Sequence, residues 1–249
     1  MNAVSGAGRP HIFRIMTYNV HRCIGTDRRL DPARIADVIA ASEPDIVALQ
    51  ELDVGRHRTG GVDQAVAIAR HLSMESHFHP AMHVEEEKYG DAILSRFPSH
   101  LIKAAALPSL GEPRGALAVK IDVGGAAVAV VNTHLGLRRR ERIIQADTLL
   151  GPAWLKHQEV VHLPTILMGD FNAMPRSAAY NAIAGRLTDA AASAAGRARA
   201  TFPSRIPMLR IDHIFLSAGL SALNTSVESS RTAKTASDHL PLVASVSLL

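Results

Sequence analysis

The segment spanning residues 164–172 reads PTILMGDFN. Its first five residues predict a buried strand, because they form a short apolar run that starts at a proline. Gly169 ends this run, and Asp170 and Asn172 follow on a tight turn. Asp170 can accept a proton or orient a water molecule, and Asn172 can donate an amide hydrogen bond to a phosphoryl oxygen. Because Asp and Asn also stabilise turns through their own backbone, this segment alone does not define a site.

The same arrangement recurs along the chain, with a polar side chain at or just beyond the end of a predicted apolar strand. The residues concerned are Asn19, Glu51, His134, Asp212 and Asp238. Strand ends are places where a rigid scaffold can hold side chains together over a cleft. We therefore expect these residues and Asp170 to form one site.

Glu51 directly follows the apolar strand predicted over residues 45–50. Hard divalent cations prefer oxygen ligands, and Mg²⁺ is often held by only one or two carboxylates together with water and substrate phosphate. Glu51 with Asp238 or Asp170 would meet that requirement. The alternative for Glu51 is an ordinary solvated loop residue.

The segment Ser237-Asp238-His239 combines a carboxylate with a group that titrates near neutral pH. His239 is predicted to act as a general base, or as a cation that stabilises charge on the phosphoryl group. It needs an orienting carboxylate, for which Asp212 is the candidate. His213 is expected to face away from Asp212 and is interpreted as structural.

His134 ends the strand that starts at residue 126. Strand alternation places Asn132 and His134 on the same side, where two hydrogen-bonding side chains suit phosphate recognition. Arg114 lies in a turn bounded by proline and glycine before a strand, and it is the arginine we expect to reach phosphate. Arg22 is a weaker candidate, and the run of arginines at 138–140 is interpreted as a solvated helix face.

Composition restricts the possible partners only loosely. The chain has 249 residues, of which 47% are hydrophobic and 20% charged, as in an ordinary globular protein. A net charge of +4 suits polyanionic substrates such as nucleic acids, phosphorylated molecules or anionic lipid surfaces. Aromatic residues make up only 4%, which leaves little material for stacking on nucleic-acid bases. The modest, dispersed charge argues against a protein that binds nucleic acid by charge alone.

Cys23 is the only cysteine, so no internal disulfide can form. A reducing compartment fits this usage, and we expect a cytoplasmic protein. Cys23 is interpreted as a small buried side chain, because the chemistry above needs no thiol. No apolar run reaches the roughly 18 residues that a membrane-spanning helix needs, so no integral membrane segment is expected. No obligate protein partner is evident.

Apolar runs and turn signals alternate along the chain without a repeat or a linker. We expect residues 1–10 to form a flexible tail and residues 11–249 to form a single domain. Asp31 and Pro32 predict a helix start, because Asp caps helices and Pro suits their first position. Further helices are predicted over 62–72, 138–157 and 177–183, and a loop over 190–200. Helices flanking strand hairpins indicate two β-sheets packed face to face with helices outside.

With these residues assembled, the sequence resembles the endonuclease/exonuclease/phosphatase superfamily, which includes deoxyribonuclease I, AP endonucleases, neutral sphingomyelinases and inositol polyphosphate 5-phosphatases. The segments that carry the resemblance are residues 17–20 (TYNV), 49–51 (LQE), 89–96 (YGDAILSR), 132–135 (NTHL), 169–172 (GDFN), 210–213 (RIDH) and 237–239 (SDH). Each segment is short, but the ordered set spans nearly the whole chain. The resemblance implies a deoxyribonuclease I-like α/β fold, a four-layered sandwich of two packed mixed β-sheets flanked by helices.

The resemblance also implies a metal and a set of roles. Glu51 would be the principal Mg²⁺ ligand, assisted by Asn19 and Asp238, with Mn²⁺ as a possible substitute. Asp170 would position or deprotonate the attacking water. Asn172 and His134 would bind the scissile phosphate. Asp212 would orient His239 or His134. The implied reaction is in-line attack by water on a phosphate ester, with diesters ahead of monoesters.

Departures from individual branches narrow the substrate only in part. The NTHL segment at 132–135 is similar to the deoxyribonuclease and sphingomyelinase branches, whereas AP endonucleases carry a tyrosine-containing motif. The single cysteine argues against a secreted digestive nuclease, and the inositol-phosphatase signature is not evident. With EPRGA at 112–116, the sequence is most similar to small bacterial metal-dependent hydrolases. The substrate stays open between nucleic acid, a phospholipid-type ester and a small phosphodiester; a DNA endonuclease and a catalytically silent phosphate- or partner-binding module are the alternatives.

Overall fold

The computed structural model describes residues 11–84, 87–194 and 199–249, so the tail predicted for residues 1–10 lies outside the described residues. The strands are β1 (Ile12–Asn19), β2 (Ile46–Val54), β3 (Glu75–Val84), β4 (Glu87–Ser95), β5 (Ser99–Leu107), β6 (Arg114–Val123), β7 (Ala126–His134), β8 (Thr165–Asp170), β9 (Thr188–Asp189), β10 (Asp212–Leu216), β11 (Leu220–Val227) and β12 (Leu242–Leu248). The helices are α1 (Pro32–Ala40), α2 (Gln64–Leu72), α3 (Arg139–Leu149), α4 (Ala178–Ala184), α5 (Ala190–Ser193) and α6 (Arg231–Ala236).

The twelve described strands form two mixed sheets with the same plan. The strand order is β11-β12-β1-β2-β4-β3 in the first sheet and β5-β6-β7-β8-β10-β9 in the second. Each sheet has one parallel pair near its centre, β1 with β2 and β7 with β8, and antiparallel strands on both sides of it. Because parallel strands end at the same edge of a sheet, each sheet presents two carboxyl-terminal strand ends side by side.

Strand alternation divides the apolar side chains of the second sheet between two faces. Val130 and Ile166 belong to the larger core cluster, which extends through the first sheet to residues of α1, α2 and α6. Val131 and Leu167 point the other way and pack with Ala146 of α3 and with α4. Helices therefore cover both outer faces, and the predicted four-layered sandwich of two mixed β-sheets is confirmed.

The helix starts follow local sequence signals more closely than the helix ends. Asp31 caps α1 as predicted, with its side chain accepting a hydrogen bond from the backbone N–H of Arg34 at 2.9 Å. The helix predicted over 138–157 instead ends at Leu149, because a proline at 152 disfavours helical geometry at Gly151.

The periodicity of apolar residues did not predict two short helices, α5 and α6. Part of the loop predicted over 190–200 is the single-turn helix α5, and residues 195–198 lie outside the described residues. The helix α6 has six residues and is capped by Ser230, whose side chain accepts from the N–H of Ala233 at 3.1 Å. Helices this short present too few apolar positions for a helical period to be visible.

Asn132 does not reach the cleft beside His134, contrary to our expectation. It is fully buried, and its amide donates to the backbone carbonyls of Leu49 at 2.9 Å and Ala92 at 2.8 Å. Its oxygen accepts from Gln50 Nε2 at 2.8 Å. Asn132 therefore links the centre of the second sheet to β2 and β4 of the first sheet, and its amide is not available for phosphate.

We expect Asn132→Leu to lower the free energy of unfolding by at least ~3 kcal/mol, because it leaves two buried carbonyls and one buried amide without this partner. The free energy of unfolding is measured by denaturant titration. The variants are compared with the same dependence of that free energy on denaturant concentration (m-value). Asn224→Leu, at an exposed position of β11, is the control and should shift stability by less than about 0.5 kcal/mol. A wild-type midpoint for Asn132→Leu would contradict a structural role for this bridge.

Candidate active site

The strand ends of the two sheets meet over a cleft of about 420 Å³. In the first sheet, Asn19 at the end of β1 pairs in register with Gln50 of β2. In the second, His134 at the end of β7 pairs with Asp170 at the end of β8, and Asp212 at the start of β10 pairs with Asp170 from the other side. The topology therefore collects side chains that are far apart in sequence.

Most of the predicted site residues line this cleft. Those that do are Glu51, Arg114, His134, Asp170, Asn172, Asp238 and His239. The other two, Asn19 and Asp212, are buried and form hydrogen bonds with residues that line it. The expectation of a single convergent set of side chains agrees with this placement.

Asn19 connects the two sheets at the floor of the cleft. Its side chain is buried, and Nδ2 donates to Glu51 Oε1 at 2.9 Å and to Asp170 Oδ2 at 3.1 Å. Its oxygen accepts from the backbone N–H of His21 at 3.1 Å, which fixes the orientation of the amide. One side chain thus sets the positions of two carboxylates from different sheets.

Glu51 leaves the strand ladder at a bulge. The register between β2 and β4 shifts between Leu49 and Leu52, and Glu51 has a φ of 62°. Positive φ is costly for a residue other than glycine, by about 1–3 kcal/mol, and persists only where the surroundings impose it. The bulge turns the carboxylate of Glu51 out of the sheet and into the cleft.

Asp170 occupies the centre of the site. Its Oδ1 accepts from the backbone N–H of Asn172 at 2.9 Å, while Oδ2 lies 3.5 Å from His134 Nε2 and 3.6 Å from His239 Nε2. Burial raises the pKa of Asp170, and the nearby charge of Asp212 raises it further. Asp170 is therefore the carboxylate in this cleft best suited to exchange a proton near neutral pH.

His239 is held by a buried carboxylate. Its Nδ1 donates to Asp212 Oδ2 at 2.9 Å, and the hydroxyl of Thr201 donates to the same oxygen. Burial alone would lower the pKa of His239, but the charges of Asp212 and Asp170 outweigh burial and raise it above its ordinary value. The ring of His239 is consequently a cation at neutral pH, with Nε2–H directed towards Asp170.

His134 has the opposite electrostatic environment. Arg114 Nη1 lies 2.9 Å from His134 Nδ1, and a guanidinium can only donate. The lone pair of His134 is therefore on Nδ1 and its proton on Nε2, facing Asp170 and Asn172. Burial lowers the pKa of His134 well below its ordinary value, and the cations of Arg114 and His239 lower it further. His134 is a neutral hydrogen-bond donor at the cleft.

Asn172 is fixed beside His134 and has a φ of 46°. Its Nδ2 donates to the backbone carbonyl of Leu135 at 3.0 Å and lies 3.1 Å from His134 Nε2. Because Nε2 of His134 carries the proton, it does not accept a hydrogen bond from Asn172 Nδ2. The two groups are neighbouring donors that can both bind one anionic oxygen.

Oxygen donors for a metal ion are gathered at the first-sheet side of the cleft. Glu51 and Asp238 supply carboxylates, whereas Asn19 presents Nδ2 to Glu51 and its oxygen accepts from the N–H of His21. The two carboxylates suit Mg²⁺ or Mn²⁺. Asp170, Asp212 and His239 also place ligand atoms within 4.8 Å of one another. Within this group His239 is hydrogen-bonded to Asp212 through Nδ1.

Several residues of the cleft carried no motif in the sequence. Arg56 and Arg58 line the cleft from the loop after β2, and Thr201 supports Asp212 from behind. The available signal for the arginines was their position in a loop bounded by glycines, directly after a strand that carries a site residue. His213 is buried and bonds the carbonyl of Ala173 at 2.8 Å, consistent with its structural interpretation.

The described residues thus form a four-layered sandwich with carboxylate, amide and imidazole groups gathered at its strand ends. Residues 16–239 match the model of the Endonuclease/Exonuclease/phosphatase family, and the chain belongs to that family. Members of this family are hydrolases that act on phosphate esters. No helix among the described residues is long and apolar enough to cross a membrane.

Relatives match over nearly the whole chain. An uncharacterized protein of Escherichia coli K12, YbhP, is 29% identical, and the match covers 95% of this chain and 96% of YbhP. The structure of an endonuclease/exonuclease/phosphatase from Bacteroides vulgatus superposes with a TM-score of 0.75 at 22% identity, covering 96% of this chain and 99% of that one. The mannosyl-6-phosphatase Bt3783 of Bacteroides thetaiotaomicron gives a TM-score of 0.75 at 20% identity, covering 94% and 99%. At these identities the two structures establish a shared fold.

The environment of His213 predicts a pH dependence of stability. Burial lowers its pKa from 6.5 to about 4, so between these pH values the unfolded chain binds a proton that the native protein does not. Its contribution to stability is therefore full above pH 6.5 and falls as the pH drops towards 4. We expect the difference in unfolding free energy between wild type and His213→Gln to shrink by up to about 3 kcal/mol between pH 7 and pH 4. Denaturant unfolding at both pH values checks this; an equal difference would contradict it.

The contact between Arg114 and His134 predicts a change in titration. Arg114→Met removes a cation and the donor to Nδ1, so the pKa of His134 should rise and its proton should no longer be confined to Nε2. Nitrogen NMR of the imidazole across a pH series measures both properties. Arg70→Met, at an exposed position of α2, is the control. An identical His134 titration in wild type and Arg114→Met would show that Arg114 does not set its protonation.

Proposed function

We propose that this protein is a Mg²⁺-dependent hydrolase of phosphate esters that uses water as the nucleophile and favours phosphodiesters over monoesters. The observation that carries the proposal is the position of Asp170, whose Oδ2 lies within 3.6 Å of two imidazoles and is bonded to the amide that also holds Glu51. A proton acceptor, two phosphate-directed donors and an oxygen-rich metal site thus share one cleft.

The metal would be held by Glu51, with Asn19 and Asp238 as further ligands. When bound, Mg²⁺ would neutralise charge on the phosphoryl oxygens. Asp238 is the most adaptable of the three, since its side chain is 38% exposed and its Oδ1 lies 4.0 Å from His21 Nδ1. Mn²⁺ would be accepted at the same oxygen donors.

Asp170 is the group we assign to accept the proton of the attacking water. His239 is less suited to that role, because the carboxylates around it keep its ring protonated. As a cation directed at the same place, His239 would stabilise charge that develops on the phosphoryl group. Asp212 would orient His239 by the hydrogen bond at Nδ1.

The scissile phosphate would be bound by two uncharged donors, His134 and Asn172, with one cation, Arg114, behind them. His134 offers Nε2–H and Asn172 offers its amide, and both are rigidly placed by their neighbours. Arg114 is 6% exposed and bonds His134, so it would act on phosphate mainly through that ring. Preorganised donors of this kind act without reorganisation during the reaction.

Two alternatives are supported by specific observations. A DNA endonuclease is favoured by the net charge of +4 and by the arginines in the cleft. A monoesterase acting on a small molecule is favoured by the fold shared with a mannosyl-6-phosphatase. A catalytically silent binding module is disfavoured, because every side chain that the reaction requires is present and in contact with its partners.

The remaining parts of the proposal concern the whole chain. We expect residues 11–249 to act as one domain, because both sheets contribute to the same cleft. A cytoplasmic location without an obligate protein partner fits a protein whose only cysteine is buried.

The proposal predicts activity that depends on metal and on Asp170. With Mg²⁺, wild type should hydrolyse bis(4-nitrophenyl) phosphate and nick supercoiled plasmid, and EDTA should abolish both reactions. Asp170→Asn and His239→Gln should each lower kcat by at least ~100-fold, since each removes a preorganised group. Asp147→Asn, at an exposed position of α3, is the matched control and should keep wild-type activity.

The outcomes separate the alternatives. Nicking by wild type alone would make DNA a substrate, whereas hydrolysis of the small diester without nicking would favour small-molecule esters. Turnover of 4-nitrophenyl phosphate in preference to the diester would favour the monoesterase. Wild-type activity in both site variants would show that the chemistry lies elsewhere.

A further inference from the structure

The cleft is lined by more cations than the proposed reaction uses. Its acidic and imidazole residues are those described above, together with Glu112, which lies 3.2 Å from Arg114. Its lining also includes Arg22, Arg56 and Arg58, none of which the proposed reaction uses. Cations that line a cleft without serving its chemistry are candidates for binding another part of the substrate.

Arg58 is held in a fixed orientation. Its Nε and Nη2 donate to the two oxygens of Asp53 at 2.7 Å and 2.6 Å, and Asp53 is fully buried. The guanidinium also lies over the ring of Tyr89, with 5.5 Å to the ring centroid. A planar guanidinium fixed in this way loses little entropy when it binds an anion. Its side chain is 40% exposed at the cleft, and Nη1 takes no part in the pair with Asp53.

Arg56 and Arg22 lie in the same lining. Arg56 Nε is 3.2 Å from Glu87 and 4.0 Å from Asp53. Arg22 Nη2 lies 2.7 Å from His21 Nε2, and its Nε is buried with no hydrogen-bond partner among the described residues. A buried donor without a partner is unfavourable, and an anionic ligand would supply an acceptor for this guanidinium.

These groups leave a surplus of positive charge. With Arg114 included, four guanidiniums stand against three carboxylates, namely Asp53, Glu87 and Glu112, the last of which acts on both Arg114 and Arg58. Arg58 also shares its carboxylate with the hydroxyl of Thr59, which donates to Asp53 Oδ2 at 3.1 Å. The ion pair with Asp53 therefore fixes the orientation of the Arg58 guanidinium, which stays at the surface of the cleft.

We propose that Arg22, Arg56 and Arg58 form a subsite for a second phosphoryl group of the substrate, distinct from the phosphate that is hydrolysed. The inference rests on the proposed function, because it assigns the hydrolysed phosphate to the side of Asp170 and His134. It restricts the substrate to a class, namely phosphate esters that carry another phosphoryl group on the same small molecule or on an adjacent nucleotide. A guanidinium cluster suits such a dianion because each member stays charged and donates charge-assisted hydrogen bonds, which Arg58 would make from Nη1.

The test compares two probes that differ only in the second phosphate. They are the 4-nitrophenyl ester of thymidine 5′-phosphate and the same ester carrying a 3′-phosphate. With Mg²⁺, wild type should have a kcat/KM at least ~10-fold higher for the second probe. Arg58→Gln should lower this ratio at least ~5-fold, mainly through KM. Arg70→Gln on α2 should retain the wild-type ratio.

A second variant addresses folding. Arg58→Gln leaves the buried Asp53 without its partner, which could destabilise the protein. Arg22→Gln disturbs no carboxylate within ion-pair distance among the described residues, and it should also lower the ratio. A wild-type ratio near one, or a ratio that neither variant changes, would overturn the subsite.

Failure of the proposed function is recognised separately. If wild type hydrolyses neither probe, the hydrolase assignment fails, and the subsite is tested by calorimetric titration of the full chain with inorganic pyrophosphate. Binding at least ~10-fold tighter than that of inorganic phosphate, weakened in both arginine variants, would support the subsite. Equal affinity for the two anions, or binding that the variants do not alter, would overturn it.

Discussion

The contact on which the site depends is the buried amide of Asn132, which joins the two sheets where their central strands end. It binds the carbonyls of Leu49 and Ala92 beside the bulge in β2. The bulge gives Glu51 its positive φ and turns its carboxylate into the cleft. A few residues further along the strands, Asn19 links that carboxylate to Asp170 of the other sheet. Two buried amides thus set the distance between Glu51 of the first sheet and Asp170 of the second.

The two histidines at the cleft differ because their neighbours carry opposite charges. His134 meets Arg114 at Nδ1 and stays neutral, whereas His239 meets Asp212 at Nδ1 and stays protonated. Both direct Nε2 at Asp170. A neutral donor and a cation on either side of one carboxylate favour different events at a phosphoryl group, namely binding in the ground state and stabilisation of developing charge.

The fold could be predicted from the sequence because apolar strands and helix caps are local signals. The ordered segments also singled out Glu51, Asp170 and His239, which line one cleft in the structure. Asn132 was misinterpreted because strand alternation gives the face of a side chain, and the inner face of a sheet near its end can meet either the cleft or the other sheet. The end of α3 was missed because helical periodicity continued beyond a Gly-Pro pair. Arg58 was missed because its partner Asp53 is defined only by the packing of the loop after β2.

Some residues of the cleft lie at strand ends and others lie in loops. This difference explains why membership of the family does not identify the substrate. Asn19, His134 and Asp170 are fixed by the register of strands that the whole sandwich requires, so a chain that keeps the fold can keep the chemistry. Arg56 and Arg58 lie in a loop outside the ladder, held by Asp53 and lying beside Tyr89. Loops tolerate change that strands do not, so substrate preference can diverge while catalysis is retained. The arginines of the proposed subsite are consequently the part of the cleft where we expect substrate preference to be set.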